Sequence, residues 1–248
     1  MSFQPNPRPI FTGYRHPRLY TELTVGTGRV IPTEFRPPNP DDTPQSLFPH
    51  CPKVTVAERV HRFIRVTPNN RSVETDFLIY TDGSCFENGR INAQAGCSFV
   101  FNDSTSGFAR FALEYKGPTD QQHTRTNNRA ELRAVIGALR YRDWAAEGFT
   151  RLVIACDSGY VVEGITSWIW DWLRWSWITA AGEPVRNRDL WECLLGEVEM
   201  WHDRGLTVQF WRIPRELNSK ADRHAKSAAL MERHVLFTDV PGISLNPV

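Results

Sequence analysis

The chain has 248 residues, is 41% hydrophobic and 23% charged, and carries a formal net charge of +1. This length accommodates one full domain with substantial additional material, and the composition excludes a wholly disordered chain. No uninterrupted apolar stretch is long enough to span a bilayer, and the opening MSFQPNPRPI lacks the apolar core of a secretory signal, so a soluble intracellular protein with no membrane partner is expected, nuclear or cytoplasmic.

Residues 1–75 differ in texture from the rest. Prolines cluster in QPNPRP and EFRPPNPDDTP, where they disfavour helix interiors and central strands, so this region is expected to be an extended, proline-rich N-terminal arm packing partly on the main domain. Within it, VTVAERVHRFI places Val56, Val60 and Ile64 along one side of a helix. From Asp76 the pattern tightens. FLIYTD has the continuous apolar character of a strand buried on both faces, and AGCSFVF and RFALEY follow as strands separated by the turn-forming NDSTSG. RAELRAVIGALRYRDWAAEG predicts a helix with Leu132, Val135, Ile136 and Leu139 on one face and Gly148 at its end. RLVIACD is another buried strand. A tryptophan-rich helical stretch comes next, in which Trp168, Trp172 and Trp175 share one side and are expected to pack in the core. A helix from about Asn187 to Asp203, a fifth strand in TVQFWRI and a last helix in NSKADRHAKSAALMERH, capped by Asn218, complete the order. The result is an α/β domain over 76–233 with a mixed five-stranded sheet flanked by helices, followed by a tail over 234–248.

Five cysteines, Cys51, Cys85, Cys97, Cys156 and Cys193, are scattered without zinc-type spacing, and their odd number suits reduced thiols. Residues 204–233 hold seven arginines and lysines against three acids, a pattern expected of a solvated helix face.

Four acids stand where strands end or helices begin. Asp82 closes the first strand in YTDGS, Glu131 lies in the first turn of TNNRAEL, Asp157 closes the fourth strand in ACDSG, and Asp222 begins the last helix in SKADRHA. Each has a structural alternative. Asp82 could form an Asx turn, Glu131 could complete a capping box with Asn128, Asp157 could cap the next helix, and Asp222 could answer the helix dipole. Strand ends on neighbouring parallel strands nevertheless converge on one crevice. Carboxylates gathered there without a basic partner repel one another, and hard, oxygen-seeking cations relieve that repulsion, Mg²⁺ or Mn²⁺ rather than zinc. A pair of such ions suits in-line displacement at a phosphodiester.

YTDGSC, TNNRAEL, CDSGYVVEGI, PVRNRDLW and the AD of SKADRHA, in this order over residues 76–232, resemble type 1 ribonuclease H. The resemblance implies the same five-stranded fold and assigns the family's four metal-binding carboxylates to Asp82, Glu131, Asp157 and Asp222. It implies an endoribonuclease holding two Mg²⁺ ions (or Mn²⁺) that cuts the RNA strand of an RNA/DNA hybrid and leaves 5′-phosphate and 3′-hydroxyl ends. Substrate contacts carry over to Gly83, Ser84, Cys85 and Asn88 and to Thr126, Asn127 and Asn128, residues of the kind that read a 2′-hydroxyl or hold phosphate oxygens. Asn187 matches a further contact or ties two helices together.

Two departures accompany the likeness. Bacterial members carry a basic handle gripping the DNA strand, whereas LRWSWI offers only Arg174 there, leaving Arg186, Arg188 and the arm as substitutes. Many members place a mobile histidine before the last helix, where this chain has Glu216 in a shortened loop, so slower turnover is expected. The arm is unlike the hybrid-binding domain of many eukaryotic members and similar to those of fungal ribonuclease H-like proteins; protein partners are expected to use it, if any do. The competing expectations are a non-catalytic module of the same fold that binds nucleic acid or protein, and a nuclease of this fold acting on structured RNA or DNA.

Overall fold

The computed structural model describes residues 23–54, 59–68 and 73–240. The run FLIYTD lies inside a longer strand, β4 (Val73–Phe86). Its side chains alternate, Phe77 and Ile79 entering one apolar layer and Leu78 and Tyr80 the other, and all four are buried. β5 (Gln94–Val100) pairs antiparallel with β4, and β6 (Phe108–Ala112) antiparallel with β5. On the other side β7 (Arg151–Cys156) runs parallel to β4, and β8 (Thr207–Arg212) parallel to β7. These strands form the expected mixed five-stranded arrangement.

One face of this sheet is covered by α2 (Asn127–Arg140) and α5 (Arg188–Asp203). Leu132, Val135, Ile136 and Leu139 are fully buried beneath α2, as their spacing predicts. α6 (Ser219–Ala228) lies on the opposite face against β4 and β5. α2 stops at Arg140, earlier than Gly148, because the chain folds back and the Trp144 indole N–H donates to Ala138 O at 2.9 Å. Gly148, at φ +76°, instead ends a short 3₁₀ turn over Ala145–Glu147.

The region before residue 76 builds more of the sheet than an arm would. β1 (Thr33–Glu34) pairs parallel with β8, and β2 (His50–Val54) pairs antiparallel with β3 (Arg59–Pro68). β3 occupies the same edge of β4 as β5 does, taking Val73–Leu78 while β5 starts at Tyr80, so the sheet has eight strands. The described parts of VTVAERVHRFI are therefore strand rather than helix; Val56 lies outside the described residues. The spacing misled because 56, 60 and 64 differ by four, a multiple of two as well as roughly one helical turn. Phe63 and Ile64 show the true period, entering opposite layers. A short helix, α1 (Pro44–Leu47), capped by Thr43, then delivers Phe48 beside Phe35 onto Trp211, with ring centroids 6.3 and 5.0 Å from the indole. Three buried aromatics thus close part of the sheet face that α6 leaves open, each worth roughly 1.5–3 kcal/mol by burial alone.

Both flanks are tied down. Backbone N–H groups of Thr27, Gly28 and Arg29 donate to Glu199 Oε1 on α5 at 2.9, 2.6 and 3.1 Å. The crossing needs glycines, since a Cβ on Gly26 would stand 2.3 Å from Gly196 N. After α6, Thr238 O accepts from Arg133 at 2.6 Å and Asp239 from Arg140 at 2.5 Å.

The tryptophan-rich stretch is α3 (Gly159–Glu163), a π turn over Gly164–Trp168 and α4 (Ile169–Arg174). Trp168 closes the π turn, and Trp175 is the non-helical residue that ends α4. Trp172 remains in the core at 9% exposure, but Trp168 and Trp175 are 38% and 61% exposed, so the three do not share a buried side. All five cysteines are free thiols. Among the described residues no helix is long and apolar enough to cross a membrane.

Candidate active site

β4 runs on to Phe86, so Asp82 lies within the strand rather than closing it; the part of β4 just past its last parallel pair with β7, Tyr80 with Ala155, is the floor of the site. Asp82 points to the α6 side of the sheet, and Gly83 follows it at a point where the strand touches α2. A Cβ on Gly83 would lie 2.2 Å from Glu131 N, so the strand and helix backbones can meet only because this residue is glycine. That proximity lets Gly83 N donate to Glu131 Oε2 at 3.1 Å. Thr126 caps α2, its hydroxyl accepting from Arg129 N, so Glu131 lies in the second turn and forms no capping box with Asn128. Asn127 Nδ2 donates to the other oxygen of Glu131 at 3.3 Å.

Asp157 follows β7, next to β4. The α3 cap is Ser158, accepting from Val161 N, which leaves the Asp157 carboxylate free of a capping role. It is held instead by Asn218, whose Nδ2 donates to Asp157 Oδ1 at 2.7 Å and to Thr81 O at 3.0 Å. Asn218 occupies the α6 cap position, but its side chain caps nothing; it braces two neighbouring strand ends. Asp222, one turn into α6, receives Lys226 Nζ at 2.7 Å on one oxygen and Arg215 Nη2 at 3.3 Å on the other.

The two buried acids, Asp82 and Glu131, lie in the field of their neighbours. Burial pushes Asp82 up to about 8, helped by the charges of Asp157 and then Asp222, against weaker downward pulls from Arg215 and the Gly83 N–H. Glu131 is held well above the ordinary carboxylate range by burial, then by Asp82 and Asp157. Among the described residues, no three acidic, histidine or cysteine side chains stand close enough together to hold a metal ion without some of them moving. The donor set still fits a hard divalent cation: it is all oxygen, drawn from four elements, and two of its members are buried in one another's field.

The remaining sequence candidates lie at the end of β4 and the loop after it and at the starts of α2 and α5. Ser84 is buried beside Gly83, and Cys85 is half-buried with its thiol directed to Arg125 O at 3.7 Å. Exposed Asn88 accepts from Asn127 N at 2.9 Å, joining the loop after β4 to the start of α2, where Asn128 is exposed. Asn187, at φ +59°, begins α5; its amide donates to Tyr160 Oη at 3.2 Å and accepts from Arg129 at 3.4 Å, so it ties α2, α3 and α5 together. His224 stacks on Phe108, and Glu216 is exposed in a 3₁₀ turn over Arg215–Asn218. The basic stretch over 204–233 is largely paired off: Arg204 meets Asp143, Arg212 meets Glu163 and Lys220 meets Asp103. Sequence reasoning missed Arg215 and Asn218 as parts of the site. Their only signal was the compact IPRELNSKAD, which brings a cation and an amide within seven residues of Asp222.

Comparison with known proteins identifies the family of the chain. The RNase H family model matches residues 74–230. A ribonuclease H of Zymomonas mobilis is 30% identical over 163 residues, covering 66% of this chain and 94% of the relative. One of Anaeromyxobacter dehalogenans is 38% identical over 160 residues, covering 62% and 79%. The solution structure of the PFV RNase H domain superposes with a TM-score of 0.44 at 19% identity, over 61% of this chain and 93% of that one. With a family model spanning the sheet from β4 to the end of α6, the chain belongs to the RNase H family.

Proposed function

We propose that this chain is a metal-dependent endoribonuclease that hydrolyses the RNA strand of RNA/DNA hybrids, leaving 5′-phosphate and 3′-hydroxyl ends. The observation that carries this reading is the set of Asp82 on β4, Glu131 in the second turn of α2, Asp157 just after β7 and Asp222 in the first turn of α6, the first two buried in the field of other acids with no arginine in contact among the described residues. Two divalent ions, Mg²⁺ or Mn²⁺, would there activate the attacking water and neutralise the leaving oxygen. The chain's own part is to hold the ligand oxygens in place: Gly83 and Asn127 orient Glu131, and Asn218 orients Asp157. Ser84, Cys85, Asn88, Thr126, Asn127 and Asn128 would offer small polar groups suited to a 2′-hydroxyl and to phosphate oxygens.

The test is cleavage of an end-labelled RNA/DNA hybrid with Mg²⁺, beside matched duplex RNA, duplex DNA and an Asp157→Asn control. Cutting confined to the RNA strand of the hybrid and lost in the control is the expected result. Folded protein that cuts nothing with either Mg²⁺ or Mn²⁺ would replace this reading with a binding module of the same fold.

A further inference from the structure

Arg215 is the one arginine in contact with a carboxylate of the cluster, at 3.3 Å from Asp222 Oδ1, among the described residues. Its charge reaches further, since it also favours the ionised form of Asp82. Yet its side chain is 73% exposed, unlike the buried arginines that lock carboxylates elsewhere in the chain. It starts the 3₁₀ turn Arg215–Asn218, whose last residue is bonded to Thr81 O and Asp157, so the root of the side chain is fixed relative to the acids while the guanidinium stays in solvent. Asp222 does not depend on it, because Lys226 Nζ holds the other oxygen at a shorter 2.7 Å.

A solvent-facing guanidinium with a fixed root and a replaceable partner can transfer to another anion. A guanidinium never loses its charge at neutral pH, and its planar fork matches two oxygens of a phosphate. Resting on the nuclease reading above, we infer that Arg215 is a substrate-holding side chain: it neutralises Asp222 in the free protein and moves to a phosphate oxygen of the bound nucleic acid when cations occupy the carboxylates.

The test measures hybrid binding in an Asp157→Asn background with Mg²⁺ over a series of salt concentrations, together with turnover of the otherwise unaltered enzyme. Arg215→Ala is expected to weaken binding roughly three- to tenfold and to flatten the dependence of log Kd on log salt by about one, the loss of a single phosphate contact. Arg215→Lys is expected to keep the salt slope and recover only part of the turnover, since an ammonium offers no fork. A parent enzyme that cleaves hybrid, with Arg215→Ala matching it in slope and turnover, overturns the inference and leaves the nuclease reading intact. A parent that neither binds nor cleaves hybrid overturns both.

Discussion

Buried carboxylates occupy two different settings in this molecule. Glu114 and Glu197, at 5% and 1% exposure, each face an arginine, Arg133 at 2.6 Å and Arg140 at 2.5 Å. Asp189 is similar: burial works to raise its pKa, but the hydrogen bonds and charge of Arg129 outweigh that and hold it below the usual value. Asp82 and Glu131 are equally buried at 5% each, and what they face is other carboxylates. The desolvation cost is comparable in the two settings and the compensation is not. Behind α2 and α5 the fold supplies its own counter-charge; at the strand ends it leaves the charge to be answered from outside. A region completed by its own side chains serves stability, and one left incomplete serves binding and chemistry.

The largest expected effects test that division from each side. Asp157→Asn should lower hybrid cleavage by about a hundredfold or more, the scale of losing a ligand for a charge-stabilising cation, while leaving the melting temperature equal or higher because one like charge is gone. Steady-state cleavage and thermal unfolding on the same preparation read both. A variant that unfolds instead would place Asp157 among the structural acids. Conversely, Arg133→Ala should cost about 3–5 kcal/mol of stability by stranding Glu114, with turnover per folded molecule preserved. Replacing both partners together, as Arg133→Met with Glu114→Gln, should cost much less, and an additive loss would show that the pair itself is not the source.

Asn218 belongs to both regions and should give an intermediate effect. Asn218→Ala removes the donor shared by Thr81 O and Asp157, so a loss of about 1–3 kcal/mol is expected together with roughly tenfold slower cleavage. Unchanged turnover would mean that Asp157 keeps its position without the amide.

How much of this could be read from the chain alone follows from what each signal measures. The five central strands, α2 and α5 were legible, because continuous apolar runs and a 3.6-residue period report burial directly, whereas the four acids stood out only by their places beside strands and helix starts. The hairpin of β2 and β3 was not: a four-residue spacing fits strand and helix alike, and the surrounding prolines pointed towards a loose arm. The partition of the tryptophans failed for another reason. Trp168 closes the π turn and Trp175 stands past the last turn of α4 at φ −101° and ψ 26°, so neither continues the buried face of Trp172. Arg215 and Asn218 escaped notice because their roles depend on a 3₁₀ turn that folds ten residues of sequence back onto two strand ends.

The smallest predicted effect concerns the price of leaving the cluster open. Asp82 titrates near 3.8 when unfolded and is pushed up to about 8 in the fold by burial, then by Asp157 and Asp222. Between those values the folded chain retains a proton that the unfolded chain has released, so raising the pH through that window removes stability. Below about 4 both states are protonated and the group contributes no difference; above about 8 the full penalty is present. A divalent cation binds the ionised carboxylates, so it must displace this proton at pH 6 and meets far less competition at pH 8. The rise in melting temperature produced by Mg²⁺ should therefore be larger at pH 8 than at pH 6. At tenfold excess over Kd it amounts to about 1.4 kcal/mol, or roughly 3–5 °C for a domain of this size. Asp82→Asn should flatten the difference between the two pH values. Equal Mg²⁺ increments at both pH values in the parent would show that the buried acids are satisfied without a cation, which would erase the distinction between the two settings.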